Sequence, residues 1–334
     1  MKPGAAPIKP LIAITGAGGF IGTQLSGDLL RRGFVVRALS RDPGRLDTRL
    51  ERFPCRDLTD IAALRSAFRG ATTVIHLAGR AHVMREHNDP EGLYRAINVE
   101  GTRNVAEAAA AESVRQIIFS SSVKAIGEGG VTELNDSTQP KPADAYGRSK
   151  LEAEQALYEI ARRSGIAATV MRFPLVYGPG VKGNMMRLFD AVWNGMPLPL
   201  GRVDNRRSMI NTANIAAFVS EAIDRPLGTD LPFLVSDSDT VSTKSLAQMI
   251  GRGLGRKPNT VAVPVAFLRA IGRMGDAVEK VGIHLPNGAQ IERLVGSLVI
   301  DSSRAWKAVN VYPPQSLEEG IRVTAEWYRT TRRR

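Results

Sequence analysis

Five short apolar runs punctuate the first half of the chain, at residues 11–15, 34–39, 73–77, 116–120 and 167–171. Their apolar character is nearly continuous rather than alternating, which predicts strands covered on both faces, as in a parallel sheet. Between them apolar positions recur at helical spacing, most regularly over residues 23–32, 98–111 and 146–163. Strands alternating with helices of this length form successive crossover units, so the expectation is an α/β protein built on a doubly wound parallel sheet.

The rhythm breaks after Pro174. Glycine, proline and asparagine crowd residues 177–184 and 197–205, a composition that marks loops and the start of a second lobe. Two brief sheet-like stretches, 208–211 and 233–236, predict returns to the first unit before the chain ends in helices such as 316–329. The expected organisation is a larger domain of residues 1–176 with returns near 208–236, and a smaller, mostly C-terminal lobe from 177–207 and 237–334. A chain of 334 residues can hold both.

Composition narrows the picture modestly. With 43% hydrophobic and 23% charged residues the chain is ordinary for a globular protein. One cysteine, Cys55, excludes an intrachain disulfide framework and fits a reducing compartment. The 45 Lys and Arg against 33 Asp and Glu give +12, a field that draws anionic ligands such as nucleoside diphosphates. No aromatic-interleaved basic motif accompanies it, so nucleic acid is not an expected partner. No apolar run reaches membrane length, and the first is cut by glycines too early for a signal segment. A cytoplasmic protein without membrane insertion is expected.

The first chemistry-bearing motif follows the first strand: Thr15-Gly16-Ala17-Gly18-Gly19-Phe20-Ile21-Gly22, leading into a helix. Gly16 permits a tight turn, Gly19 lets backbone amides approach a pyrophosphate, Gly22 allows close packing of the helix, and the helix start opened by Phe20 and Ile21 brings a positive dipole. A strand, this turn and a helix together predict dinucleotide binding. The second strand ends in Ser40-Arg41, where an aspartate would serve a ribose 2′-hydroxyl. A hydroxyl followed by a guanidinium suits a 2′-phosphate instead, which favours NADP(H) and leaves NAD(H) open.

Tyr146 and Lys150 form a Tyr-x-x-x-Lys pair at the start of a predicted helix. Spacing of four puts both on one face, where the ammonium and the helix end should make the phenol a usable proton donor or acceptor. Ser120-Ser121-Ser122 closes the fourth strand, at the end where open α/β sheets bind ligands. A hydrolase triad is not supported, because no Gly-x-Ser-x-Gly elbow is present. His82, His87 and His284 read as surface or loop residues, and no His or carboxylate set has metal-ligand spacing.

These motifs together resemble the extended short-chain dehydrogenases, in particular the NAD-dependent epimerase/dehydratase family, over nearly the whole chain. The resemblance implies a Rossmann domain with a nucleotide-sugar-binding lobe. It implies that Asp57-Leu58 borders the adenine, that Leu77-Ala78-Gly79 lies beside the cofactor, and that Asn98 opens a long helix at a dimer interface. Matching through Gly127 makes Ser122 the serine of a Ser122, Tyr146, Lys150 triad, in which Tyr146 and Lys150 also contact the cofactor, Lys150 at the nicotinamide ribose; a slip of one residue would promote Ser121. The run Met171-Arg172-Phe173-Pro174-Leu175-Val176-Tyr177-Gly178-Pro179 looks like the segment that passes the nicotinamide, at Pro174, and enters the sugar pocket. Substrate contacts are expected from Ser122, Lys124, Tyr146, Asn184, Arg207 and Arg293, with Asp301 nearby.

Within the family the chain is similar to UDP-sugar 4-epimerase-like proteins, and through Ser121-Ser122-Val123-Lys124 and Val181-Lys182-Gly183-Asn184 to the branch that reduces a 4-keto-6-deoxy sugar to UDP-N-acetylquinovosamine. Dehydratases of the family carry an Asp-Glu pair after the catalytic hydroxyl, where this chain has Val123 and Lys124, so dehydration is not expected. The leading expectation is a UDP-sugar C4 ketoreductase using NADP(H). The alternatives are a UDP-hexose or UDP-N-acetylhexosamine 4-epimerase and, more remotely, a non-catalytic dinucleotide sensor. A homodimer is expected because the apolar positions of helices 98–111 and 146–163 exceed what one sheet face needs.

Overall fold

The computed structural model describes residues 10–81, 89–127, 133–228, 231–278 and 286–332. In chain order the first part comprises β1 (Leu11–Thr15), α1 (Phe20–Arg31), β2 (Val35–Ser40), β3 (Glu51–Pro54), α2 (Ile61–Phe68), β4 (Thr73–His76), α3 (Pro90–Tyr94), α4 (Gly101–Ala111), β5 (Gln116–Ser122), α5 (Ala145–Ser164) and β6 (Ala167–Phe173). After it come β7 (Leu175–Tyr177), α6 (Gly183–Trp193), β8 (Arg207–Asn211), α7 (Thr212–Asp224), β9 (Phe233–Leu234), β10 (Thr240–Val241), α8 (Thr243–Leu254), α9 (Val265–Val278), α10 (Gly288–Val295), α11 (Ser303–Val309) and α12 (Leu317–Arg332).

Seven strands form one parallel sheet in the order β3-β2-β1-β4-β5-β6-β9. The order reverses direction between β1 and β4, the crevice where doubly wound sheets take their ligands. Adjacent residues of a strand face opposite layers: Ile12 and Ile14 join the core under α1, α7 and α11, while Ala13 joins the core under α2, α4 and α5. The continuous apolar runs are explained by this two-sided covering.

Local signals set the helix ends. Asp60 and Asp144 cap α2 and α5 by accepting the amides of Ala63 and Gly147, and Gly165 closes α5 with φ +75°. A further core, around Tyr177, Met185, Phe189, Leu246, Ile250, Ile321 and Tyr328, gathers α6, α8 and α12.

The structure corrects several expectations. The stretch at 233–236 does join the main sheet as β9, but β8 pairs with β7 and β10 in a separate three-stranded sheet. Asn98 does not open a helix: it lies inside a π-helical segment, Arg95–Glu100, that joins α3 to α4. Val105, Ala106, Ala108 and Ala109 of α4 are buried against α2, α5 and the sheet of the same chain. Their apolar surplus is therefore used within one subunit and is no argument for a dimer. Among the described residues, no helix is long and apolar enough to cross a membrane, and no group of three or more His, Cys, Asp or Glu could hold a metal ion.

Candidate functional site

The turn after β1 is shaped by its glycines. Gly16 has φ +72°, and a Cβ there would lie 2.7 Å from the backbone nitrogen of Ala78, so both the left-handed backbone and the approach of the segment after β4 require glycine. A Cβ on Gly22 would lie 2.8 Å from Cα of Ala17 and strike the carbonyl of Gly16, which is how closely α1 starts against the turn. Gly19 caps α1 in extended conformation with no side-chain hydrogen bond, and the first turn, through Phe20, Ile21 and Gly22, carries no acidic residue. The positive helix end is left uncompensated by the chain's own side chains, which fits a pyrophosphate.

Ser40 stands beside this turn. A Cβ on Gly18 would be 2.9 Å from its Oγ, which accepts the amide of Asp42 at 3.2 Å. Arg41 is exposed, and Asp42 pairs with Arg45 at 2.9 Å instead. No carboxylate ends β2. Asp57 is exposed and turns its carboxylate onto the amide and hydroxyl of Thr59, which holds it below the usual carboxylate range. Leu58 is half-buried against α4, where its carbonyl accepts from Asn104 at 2.9 Å.

The segment after β4 is tied in place from three sides. The Ala78 amide donates to Thr15 Oγ1 at 3.3 Å. Buried Asn98 accepts from the Arg80 amide at 2.8 Å and donates to the Arg80 carbonyl at 3.1 Å and to Ser149 Oγ at 2.9 Å. Asn98 thus links Leu77-Ala78-Gly79 to α5, one residue before Lys150. His76 is fully buried, hydrogen-bonded to Thr15 and Thr102 and stacked on Phe119. Burial, then the charge of Lys150, lower its pKa to about 3, so it stays neutral. His82, His87 and His284 lie outside the described residues.

The end of β5 meets the start of α5. Ser122 ends β5 with its Oγ accepting the Lys124 amide at 3.2 Å. Ser121 faces the other way, buried, and donates to Glu154. Gly147 packs against the carbonyl of Lys124, where any Cβ would collide, so the turn after Ser122 abuts the first turn of the helix carrying Tyr146. Lys124 Nζ pairs with Asp144, the cap of that helix, at 2.5 Å. Tyr146 is half-buried with its ring 5.8 Å from that of Tyr94. Lys150 is buried, donates to the Ser120 carbonyl at 2.6 Å and sits 4.0 Å from the centre of the Phe119 ring. Burial lowers its pKa to about 7, against the opposing charge of Glu154.

Residues distant in sequence reach the same place. Burial works against ionisation of Asp144, but the hydrogen bonds from Lys124 and Gly147 and the charges of Lys124 and Arg293 hold it below the usual range. Arg293, exposed on α10, is therefore within electrostatic reach of the cap of α5. Arg207, half-buried at the start of β8, donates to the carbonyl of Gly296 at the end of α10 at 2.9 Å. Val123, Ile126, Leu134, Leu234, Leu298 and Ile300 pack in one cluster that fastens the turn after Ser122 to the segment following α10. Pro174 is buried between β6 and β7, Asn184 is exposed on the first turn of α6, and Asp301 is exposed with its carboxylate on the Ser303 amide.

Asn98, Asp144, Tyr94 and the Glu154–Arg172 pair were not anticipated as parts of the site. Asp144 had a readable signal, an acid just before a helix start. Glu154 had a weaker one, four residues beyond Lys150 on the same face.

Comparison with known proteins gives three consistent results. The pattern of the NAD dependent epimerase/dehydratase family matches residues 12–230. The UDP-glucose 4-epimerase of Vibrio cholerae is 33% identical over 98% of this chain and 98% of its own. Among solved structures, MoeE5 in complex with UDP-glucuronic acid and NAD superposes with a TM-score of 0.75 at 24% identity, covering 96% of this chain and 99% of that one. The UDP-N-acetylglucosamine 4-epimerase from Bacillus cereus gives 0.75 at 19%, covering 96% and 100%. At those identities the two structures speak for the fold.

Proposed function

The chain belongs to the NAD dependent epimerase/dehydratase family, and on that footing we propose that it is a C4 oxidoreductase of a UDP-linked sugar. The observation that carries the reading is that the glycine turn, the end of β5 at Ser122 and the first turn of α5 lie at the same end of the parallel sheet, with buried Lys150 bonded to the Ser120 carbonyl and Arg293 within electrostatic reach of Asp144. The relative and neighbours named above are, by name, UDP-sugar enzymes or carry a UDP-sugar, which supports that substrate class here.

A nicotinamide dinucleotide, when bound, supplies or receives hydride at C4. Gly16, Gly19 and Gly22 with the start of α1 would hold its pyrophosphate, Asp57 and Leu58 its adenine edge, and Leu77, Ala78, Gly79 and Pro174 would line its path toward the nicotinamide. Ser122 would hold the C4 oxygen. Tyr146 would give its phenol proton to that oxygen as the carbonyl becomes an alcohol, and Lys150, out of water and in its protonated form, would bind the nicotinamide ribose and stabilise the phenolate left behind. Arg207 and Arg293 would bind the diphosphate, whose paired oxygens suit guanidinium groups, with Lys124 and Asn184 bordering the sugar.

The finer form of the proposal is a 4-ketoreductase using NADP(H) on a UDP-4-keto-6-deoxy-N-acetylhexosamine, giving UDP-N-acetylquinovosamine. Ser40 beside the glycine turn and exposed Arg41 support the phosphate-bearing cofactor; the neighbour solved with NAD supports dinucleotide binding without that preference. A second reading, 4-epimerisation, is favoured by the whole-length likeness to a UDP-glucose 4-epimerase. Incubation with NADPH and UDP-4-keto sugars, with the product's C4 configuration read by NMR, tests the reductase. Interconversion of UDP-glucose and UDP-galactose, or of their N-acetylated forms, by protein that retains its cofactor through purification would decide for the epimerase. A cytoplasmic homodimer through α4 and α5 is proposed on the family likeness, and sedimentation at micromolar concentration tests the assembly.

A further inference from the structure

One helical turn beyond Lys150, α5 buries a carboxylate. Glu154 is 2% exposed, and Arg172 on β6, 8% exposed, grips it with Nε at 3.0 Å and Nη2 at 2.6 Å, while Ser121 on β5 donates to the same carboxylate. Three elements of the main domain thus converge on one buried negative charge. A buried ion pair is a poor device for stability alone, because apolar side chains of similar volume hold a core at least as well. Its position calls for another explanation.

That position is beside Lys150. Two neighbouring residues of β5 hold the two charges: the Ser120 carbonyl takes the ammonium and the Ser121 hydroxyl serves the carboxylate. Residues four apart on a helix are neighbours on its surface. The groups facing Lys150 are otherwise neutral or aromatic. Phe119 of β5 lies under it, His76 of β4 is uncharged behind that ring, and Tyr146 stands one turn earlier on α5. Asn98 of the π segment reaches Ser149 without charge, and Arg172 of β6 is spent on Glu154. Among the described carboxylates, Glu154 is the one that counters the loss of the Lys150 proton on burial.

We infer that Glu154, clamped by Arg172 and Ser121, is a positioning residue that keeps Lys150 protonated and thereby sets the upper pH limit of the site. The inference rests on the reading of Lys150 as a working part of that site. Removing the carboxylate while keeping Arg172 leaves two cations in one interior, so Lys150 must give up its proton at lower pH. Removing both partners deletes the counter-charge without leaving Arg172 unpaired, so the shift keeps its sign and becomes smaller.

The experiment compares the wild type, Glu154→Gln, and the Glu154→Gln/Arg172→Met double variant, which leaves no buried guanidinium unpaired and so stays testable if the single variant folds poorly. Two readouts are taken: the alkaline limb of kcat/KM against pH with UDP-sugar and cofactor, and the titration of the Lys150 Nζ resonance in 15N-lysine protein, assigned by its loss in Lys150→Met. Both should fall by about one pH unit or more in the single variant and by less in the double. A limb and a resonance that stay at the wild-type pH, with only overall rate or stability reduced, overturn the inference and make the cluster purely structural. If Lys150→Met keeps wild-type turnover while the resonance still moves, the functional reading of Lys150 has failed and the electrostatic link stands. A stationary resonance condemns the link itself.

Discussion

Lys150→Met should make the cofactor-free protein more stable at neutral pH, although the substitution disables the proposed chemistry. The lysine titrates at 10.5 when free and at about 7 in the fold, because burial strips its ammonium of water. Between those values the unfolded chain holds a proton that the folded chain has released. Stability therefore falls as pH drops from 10.5 toward 7 and is lowered by the full amount below 7, where both states are protonated. A gap of that size corresponds to about 5 kcal/mol below pH 7, about 4 at pH 7 and about 2 at pH 9. Methionine keeps an apolar chain against Phe119 but forfeits the hydrogen bond to the Ser120 carbonyl and the ammonium–ring contact, together about 1–2 kcal/mol. The net expectation is a gain of about 2–3 kcal/mol at pH 7 that shrinks to near zero by pH 9. Guanidinium unfolding of both proteins at pH 7, 8 and 9, followed by the fluorescence of buried Trp306, measures it. His76 stays neutral in that window and contributes no slope. A variant less stable than the wild type at pH 7, or a difference constant from pH 7 to 9, refutes the reasoning.

Three further outcomes are expected. Tyr146→Phe removes one oxygen from a half-buried ring and should lower turnover by roughly two to four powers of ten while leaving cofactor affinity nearly unchanged; near-normal turnover would falsify its role as proton donor. Arg41→Ala should weaken NADPH far more than NADH, by about 1–3 kcal/mol, measured by fluorescence titration, and equal losses would withdraw the 2′-phosphate assignment. Gly22→Ala, whose Cβ meets Ala17 at 2.8 Å, should lower thermal stability by about 1–3 kcal/mol and loosen cofactor binding. Gly19→Ala, 3.1 Å from the Gly16 carbonyl, should chiefly affect binding, so identical melting losses in the two would contradict the packing described for the turn.

What could be read from the sequence was local. The strand at 11–15, the glycine turn behind it and the Tyr-x-x-x-Lys pair are each set by residues within one or two turns of one another, where spacing and backbone chemistry suffice. The continuous apolar runs likewise announced a parallel sheet, since both faces of every inner strand are covered. What only the tertiary structure decided depends on which distant segments meet. Strand pairing placed β8 in a small separate sheet and β9 in the main one, although the sequence marked both simply as short sheet-like stretches. Packing inserted a π segment, so Asn98 became a buried link between Arg80 and Ser149 instead of a helix start. The alanines of α4 proved to be covered by their own chain. Arg172 found Glu154, and Arg293 came within reach of Asp144, across separations that no periodicity encodes. A spacing of four tells which face two side chains share, but which partner a charge meets, and how much water it loses there, is settled only when strands and helices close on one another.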